Sequence, residues 1–169
     1  MSLLLWCAPA WTQNVGATRQ VSEEEVKAAF LLNFVKFVEW PDSVREAKAT
    51  PFSICIVGSD PFREALDGLL QGETVAGRPV IVERVRRWQS SCQVVFVGAS
   101  ELDVPQALGG VQPGVLTVGE ETRFLREGGM IALVVDNHRV RFDVNLRAAN
   151  KASVRISSRL LAVARAVER

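Results

Sequence analysis

Residues 52–61 read Phe-Ser-Ile-Cys-Ile-Val-Gly-Ser-Asp-Pro, and this stretch decides the fold. Its first six residues form a β-rich run that Gly58 closes. Asp60 then provides a helix cap before Pro61, because proline is favoured at the first helical position. The same order of strand, glycine and helix recurs twice, at Val94–Val97 with Gly98 and at Val115–Val118 with Gly119. Three such units predict repeated βα connections and therefore a parallel sheet.

Further elements surround these units. The sequence predicts a helix over Phe62–Leu70, a strand over Pro79–Val85, a hairpin of Met130–Val135 and Arg139–Val144 around Asp136-Asn137-His138, and a closing helix from Ser157 or Ser158 to Val167. The hairpin supplies an antiparallel edge to the sheet. With 169 residues, 48% of them hydrophobic, the chain can bury one core. The predicted fold is α/β: a single three-layer domain with a mainly parallel sheet, an antiparallel hairpin edge and an N-terminal helix.

The N-terminal helix has a clear start and end. Ser22 and Glu25 have the spacing of a capping box, and Pro41 is expected to end the helix near Glu39 or Trp40. Its apolar residues recur at helical spacing and include the aromatic residues Phe30, Phe34, Phe37 and Trp40. A core-packing helix is the preferred interpretation. A stripe shared between core and partner is the alternative, because aromatic side chains dominate interface energetics.

The first residues differ in character from the rest. Residues 1–20 have the composition of a signal-peptide remnant, with an apolar run around Trp6 and Cys7 and no positive charge before Arg19. An ordinary disordered N-terminus is the alternative. We therefore divide the chain into a leader over residues 1–20 and an α/β domain over residues 21–169.

Charge and cysteine content narrow the function classes. The chain has 20 basic and 19 acidic residues, a formal net charge of +1, and these charges look scattered, which disfavours nucleic-acid binding. No apolar run approaches the ~20 residues that cross a bilayer. Cys55 and Cys92 predict a disulfide if the protein is exported, and two buried thiols if it is cytosolic. Two cysteines and one histidine cannot complete a structural zinc site.

The predicted strand ends lack catalytic motifs. The sequence after Gly58 has neither the three glycines of a dinucleotide site nor the Gly-Lys-Ser/Thr of a phosphate loop. Gly98-Ala99-Ser100 lacks both the aspartate of a phosphoacceptor site and the second glycine of a nucleophile elbow. His138 lies in the predicted hairpin turn, where histidines are usually solvated. We therefore predict no catalytic, cofactor-binding or metal-binding residues, no cofactor and no enzyme activity.

The order of several sequence blocks resembles the YfiR-like family from about Glu25 to the C-terminus. The blocks are Ala28–Phe34 with Phe37–Pro41, Ile54–Gly58 with Asp60–Phe62, Gly77–Val80, Leu116–Gly119, Gly128–Ile131, Val140–Leu146 and Ile156–Leu161. The resemblance implies a periplasmic, often dimeric α/β protein without known catalytic activity. It also implies that Cys55 and Cys92 correspond to a pair that forms a stabilising disulfide. A second disulfide found in some members has no counterpart here, since no cysteine follows Cys92.

The resemblance also implies a function. The best-known members repress a membrane-bound diguanylate cyclase by binding its periplasmic region, which lowers cyclic-di-GMP signalling and biofilm formation. A peptidoglycan-associated outer-membrane lipoprotein can sequester such a repressor. The residues that we expect at a partner-binding or dimer surface are Phe30, Phe34, Phe37, Trp40, Leu160 and Leu161. The alternative hypothesis is a periplasmic small-ligand-binding sensor subunit that serves another system, such as a histidine kinase.

Overall fold

The computed structural model describes residues 21–47, 49–101 and 103–169, so the predicted leader over residues 1–20 lies outside the described residues. Within these ranges the helices are α1 (Glu23–Phe37), α2 (Asp42–Glu46), α3 (Glu64–Leu70), α4 (Val104–Leu108), α5 (Glu121–Arg126), α6 (Leu146–Lys151) and α7 (Ser158–Val163). The strands are β1 (Val38–Glu39), β2 (Phe52–Val57), β3 (Thr74–Val75), β4 (Arg78–Val85), β5 (Cys92–Val97), β6 (Leu116–Glu120), β7 (Ile131–Asp136), β8 (Arg139–Asn145), β9 (Arg155–Ile156) and β10 (Ala166–Glu168).

The main sheet confirms the predicted α/β class. Its strand order is β10-β8-β7-β6-β5-β2-β4-β3, and β4, β2, β5, β6 and β7 are parallel. Because β4 lies on one side of β2 and the later strands on the other, the topological switch point falls between β2 and β5. The predicted hairpin of β7 and β8 is antiparallel and turns through Asn137 and His138, both with positive φ. Strands β1 and β9 form a separate antiparallel pair.

Helices cover both faces of the sheet, as the three-layer prediction requires. On one face, α1, α3 and α7 contribute Leu31, Phe34, Leu66 and Leu160 to a core that includes alternate strand residues such as Ile54. On the other face, α4 and α5 contribute Val104, Phe124 and Leu125 to a second core, which contains Cys55 and Val95. Successive side chains of β2 point to opposite faces of the sheet, and helices cover both faces, so all six residues of the strand are buried.

The boundaries of two helices differ from the predictions. The capping box of α1 is present, with Ser22 Oγ accepting from the Glu25 amide at 3.2 Å and Glu25 Oε2 accepting from the Ser22 amide at 2.9 Å. However, α1 ends at Phe37 rather than near Glu39, because the next two residues pair with β9. Helix α3 begins at Glu64, since Asp60 Oδ1 accepts from the amides of Phe62 and Arg63 in a preceding turn.

The closing helix also ends early, and the predicted hairpin is not the outermost part of the sheet. Helix α7 stops at Val163, and residues 166–168 form β10, which pairs in parallel with β8. Two contacts hold this strand: the Arg165 amide donates to the Phe142 carbonyl at 2.8 Å, and the Arg165 guanidinium forms a two-pronged ion pair with Asp143. Because Asp143 is buried, its charge needs this partner.

We expect Asp143→Ala to release β10 and to lower the free energy of unfolding by about 2 kcal/mol, because charge-assisted hydrogen bonds to a buried group are lost. Amide exchange should report the change, with faster exchange at Val167 and little change in β5. Asp42→Ala is the control, because Asp42 is exposed and forms a surface ion pair with its helical neighbour Arg45. Unchanged protection of β10 would contradict this role of Asp143.

Candidate partner-binding surfaces

The six residues predicted for a partner or dimer surface lie on α1, just after it, and on α7. Phe34, Trp40 and Leu160 are buried, whereas Phe30 and Leu161 are half-buried and pack against the core. Phe37 is 39% exposed. The structure therefore brings most of the set into the core, and it leaves Phe37 as the large aromatic side chain available to a partner.

Ring contacts explain the burial. The rings of Phe30 and Phe34 meet the ring of Phe142 on β8, with centroids 5.4 Å and 4.9 Å apart. The Trp40 ring packs edge-on against Phe52 at 5.0 Å, and its indole Nε1 donates to the Val35 carbonyl at 2.9 Å. These residues anchor α1 to the sheet, as the core interpretation of the helix predicted.

The two loops at the switch point are hydrogen-bonded to each other. The Ser59 amide donates to Ser100 Oγ at 2.9 Å, and the Ser100 amide donates to Ser59 Oγ at 3.3 Å, so the loops after β2 and β5 bind each other. Gly98 permits this contact, because a Cβ there would lie 2.1 Å from the Ser59 carbonyl oxygen. Ligands of open α/β sheets usually bind at this position. Here the loops after β2 and β5 are joined directly at this position.

A cluster of charges beside these loops fastens α1 to the strand ends. Glu120, at the end of β6, accepts from the Ala99 amide at 3.0 Å and from the Lys27 ammonium at 2.8 Å. Lys27 also pairs with Glu23 at 2.8 Å. Burial alone would lower the pKa of Lys27, but its hydrogen bonds to Glu120 and Glu23 outweigh that effect and raise the pKa. The cluster stabilises the loops rather than preparing a proton-transfer group.

Arg84 organises the neighbouring strand end in the same way. Its guanidinium pairs with Asp60 at 2.8 Å and with Asp67 at 2.6 Å. The hydrogen bond from Arg84 lowers the pKa of Asp67, so this carboxylate stays ionised. These three charged groups are therefore occupied with one another.

The opposite edge of the sheet contains an open cleft of about 1060 Å³. Its apolar floor includes Trp40, Val75 and Val154, and its walls come from α2, β3, β9 and the end of α1. The polar side chains that line it are Lys36, Glu39, Asp42, Arg45, Thr74, Asn150, Ser153 and Arg155. This mixture of cations, carboxylates and amide groups could hold a small zwitterionic molecule.

The two cysteines form a disulfide across neighbouring strands. Cys55 in β2 and Cys92 in β5 are bonded, with Cα atoms 5.7 Å apart, and both residues are buried. This confirms the disulfide over the alternative of two free thiols. His138 is exposed in the hairpin turn. Within residues 21–47, 49–101 and 103–169, no group of three or more His, Cys, Asp or Glu residues could hold a metal ion.

One feature of the charge distribution was not predicted. The basic residues are unevenly distributed, with an excess in the last 31 residues that the net charge of +1 conceals. Counting charge by segment would have revealed this excess. No helix within the described residues is long and apolar enough to cross a membrane.

Together, a disulfide inside the sheet, hydrogen-bonded loops at the strand ends and an exposed aromatic residue on α1 are typical of an exported α/β binding domain. The chain belongs to the YfiR/HmsC-like family, whose sequence model matches residues 24–165. The family is one of periplasmic regulators of diguanylate cyclase, and it is regulatory rather than catalytic.

Two solved structures resemble the fold. An ABC domain from Streptococcus pneumonia, solved in complex with L-Trp, is 13% identical with a TM-score of 0.54 and is matched over 83% of this chain. A conserved domain protein from Vibrio cholerae is 13% identical with a TM-score of 0.48 over 87% of this chain. The match covers 60% of the length of each of those chains. At this identity, the first of these likenesses shows the fold alone.

Proposed function

We propose that this protein is a periplasmic repressor that binds the periplasmic region of a membrane-bound diguanylate cyclase and holds the cyclase inactive. Repression would lower cyclic-di-GMP signalling and biofilm formation. The observation that carries the proposal is the family match over residues 24–165, which spans nearly all of the described domain. A homodimer, and release by a peptidoglycan-associated outer-membrane lipoprotein, belong to the same proposal.

Binding alone is sufficient for such repression. A partner that interconverts evenly between active and inactive states becomes about 99% inactive if the repressor binds the inactive state ~100-fold more tightly, a difference of about 2.7 kcal/mol. Desolvation of one aromatic anchor and a few apolar neighbours supplies a free energy of this size. On α1 and α7 the side chains available for this are Phe37 and Val163, beside the half-buried Phe30 and Leu161.

The variant Phe37→Glu is expected to weaken repression, because it places a charge where a partner would bury an aromatic ring. We expect a ~10–100-fold loss of affinity for the cyclase's periplasmic region, which corresponds to about 1.4–2.7 kcal/mol, the size of effect typical of an interface anchor. Cyclic-di-GMP measured in cells that express both proteins should rise accordingly.

The matched control for this variant is Leu69→Glu. Leu69 lies on α3 and is also 39% exposed, so the two substitutions perturb folding to a similar degree. Equal repression by both variants would show that α1 does not form the contact surface. If the wild-type protein leaves cyclic-di-GMP unchanged with every cyclase of the same genome, the repressor proposal itself is wrong.

The alternative is a periplasmic small-ligand sensor, and the open cleft over Trp40 favours it. Its walls carry both Arg45 and Arg155 and the carboxylates of Glu39 and Asp42, groups that match the two ends of an amino acid. The fold's likeness to a domain solved with L-Trp is compatible with this alternative. A thermal-shift screen of amino acids is the test, because a ligand that binds the native state raises its melting temperature. Loss of the shift in Arg155→Ala would assign binding to this cleft.

A further inference from the structure

A second pocket, of about 440 Å³, lies at the edge of the sheet where the parallel strands begin. Its walls come from α6, from the loop that follows α4 and from residues 128–130, which lead into β7. Thr117, near the start of β6, and Asn145, at the end of β8, also line it. Because β7 and β8 are antiparallel, the end of β8 lies beside the start of β7. We name this site the α6 pocket, and its volume is within the range of small-molecule sites.

The walls of the α6 pocket are mainly apolar. The apolar residues that line it are Leu108, Val111, Pro113, Met130, Ala148 and Ala152. The leucine and the valine pack against one core of the protein, and the two alanines pack against the other. The Gly114 amide donates to the Ala152 carbonyl at 2.7 Å, which ties the loop after α4 to the end of α6. The pocket is therefore a bounded apolar space between the helical layers of the two faces.

The uncharged polar side chains in the lining are already hydrogen-bonded within the protein. Thr117 Oγ1 accepts from the Met130 amide at 3.1 Å. Asn145 Oδ1 accepts from the Ala148 amide at 2.9 Å, and Asn145 Nδ2 donates to the Leu125 carbonyl at 3.3 Å. These side chains hold the walls together, so the charged residues are the strongest polar groups that the pocket offers to a ligand.

Two cations lie at the mouth of the α6 pocket. Arg147 and Lys151 line it, are exposed, and stand one helical turn apart on α6. None of the described residues that line the pocket is Asp or Glu. Within the described ranges, neither cation forms an ion pair with a side-chain carboxylate. Arg147 uses one of its five N–H donors on the main-chain oxygen of Arg169 at 2.9 Å, which leaves the others for a ligand.

An apolar space beneath two cations favours an amphipathic anion. The apolar body of such a ligand leaves water for the pocket, and its anionic head stays at the mouth, where both cations attract it. A neutral apolar molecule would make no use of the cations, and an inorganic anion would make no use of the apolar walls. A zwitterion, which suits the mixed charges of the cleft over Trp40, would bring its ammonium group close to two positive charges.

We propose that the α6 pocket binds a small amphipathic anion, namely a carboxylate with a short apolar body. Among the described residues, the pocket and the cleft over Trp40 have no lining residue in common. The two sites also differ in chemistry, because carboxylates line the cleft and none lines the α6 pocket. The proposal goes beyond the repressor function and does not depend on it.

The test is titration of the purified protein with octanoate, followed by NMR of ¹³C-labelled methionine methyl groups. The sequence has two methionines, Met1 and Met130, and Met130 lines the pocket. We expect the Met130 signal to shift saturably with octanoate and to stay in place with acetate. Hexanoate should bind roughly fifteen-fold more weakly than octanoate, because each buried methylene group strengthens binding about fourfold.

A double variant separates the head group from the apolar body. Arg147→Gln with Lys151→Gln removes the two cations and keeps the apolar walls. It should bind octanoate at least ~10-fold more weakly, because charge-assisted hydrogen bonds are lost, and it should bind neutral octanol as the wild type does. The matched control is Arg86→Gln with Arg87→Gln, which removes the same charge from exposed positions outside the pocket and should retain octanoate affinity to within a few-fold.

Three results would overturn the proposal. They are a Met130 signal that does not move at the highest soluble concentration of octanoate, equal affinities for octanoate and octanol, and equal losses in the two double variants. None of them bears on the repressor proposal, because the experiment contains no cyclase. Conversely, octanoate binding by a protein that represses no cyclase would support the α6 pocket and reject the repressor function.

Discussion

Replacement of Cys55 and Cys92 by alanine is expected to lower the free energy of unfolding by about 4 kcal/mol. The bond closes a loop between residues 37 positions apart, and the chain-entropy model assigns ~4 kcal/mol to that constraint on the unfolded chain. Both side chains are buried between β2 and β5, so their loss also removes packing from the second core. Urea denaturation of the oxidised protein and of the double variant measures the difference.

Measurements on the reduced protein separate the contribution of the disulfide bond to stability from that of side-chain packing. Dithiothreitol should destabilise the wild-type protein by most of the same amount and should leave the double variant unchanged. If reduced and oxidised wild-type proteins unfold within 1 kcal/mol of each other, the disulfide has no stabilising role. A large loss in the variant together with a small loss on reduction would assign the effect to the cavities left by the two sulfur atoms.

The parts of the fold that could be predicted are those specified by nearby residues. Each strand of the βα units is an apolar run closed by glycine, and the Ser22–Glu25 capping box acts within one helical turn. Each of these signals lies within a few residues of the element that it specifies, so it can be recognised from the sequence alone. The parallel sheet could be predicted because a helix that connects two strands of one sheet usually leaves them parallel. Such connections are nearly always right-handed, which leaves few possible topologies.

The parts that could not be predicted depend on distant partners. Residues 166–168 have helical periodicity with Leu160, yet the chain there is a strand because Arg165 reaches Asp143, 22 positions earlier. Residues 38 and 39 extend because β9 pairs with them from more than a hundred positions away. In both cases a tertiary contact determines whether the segment is a helix or a strand, because the local propensities for the two differ little.

The candidate surface shows the same limit. An aromatic stripe on α1 predicts burial against something, but the pattern alone cannot distinguish a sheet from a partner. Phe34 is buried against the ring of Phe142, and Trp40 is buried against the ring of Phe52. Both of these contacts join residues that are distant in the sequence. The basic excess of the last 31 residues was also present in the sequence, but the net charge of the whole chain conceals it.

Arg78 is expected to show the second large effect, although it pairs with no carboxylate within the described residues. It is 1% exposed in β4, and it donates to the carbonyls of Val44, Thr50 and Pro51 and to the side chains of Thr50 and Gln93. Its guanidinium also lies 5.6 Å from the centre of the Phe52 ring. Burial lowers the pKa of Arg78. An arginine nevertheless remains charged at any physiological pH.

We expect Arg78→Met to lower the free energy of unfolding by about 3–5 kcal/mol, because a guanidinium that is 1% exposed loses five hydrogen bonds, three of them to the carbonyls of residues 44, 50 and 51. Arg84→Met in the same strand is the matched control. Its ion pairs with Asp60 and Asp67 are exposed to solvent, so their loss should cost less than about 1 kcal/mol. Urea denaturation of both variants measures the contrast. Equal losses would show that the guanidinium of Arg78 is replaceable by any long side chain, whereas the expected difference would identify it as the group that holds the α2–β2 segment against the sheet.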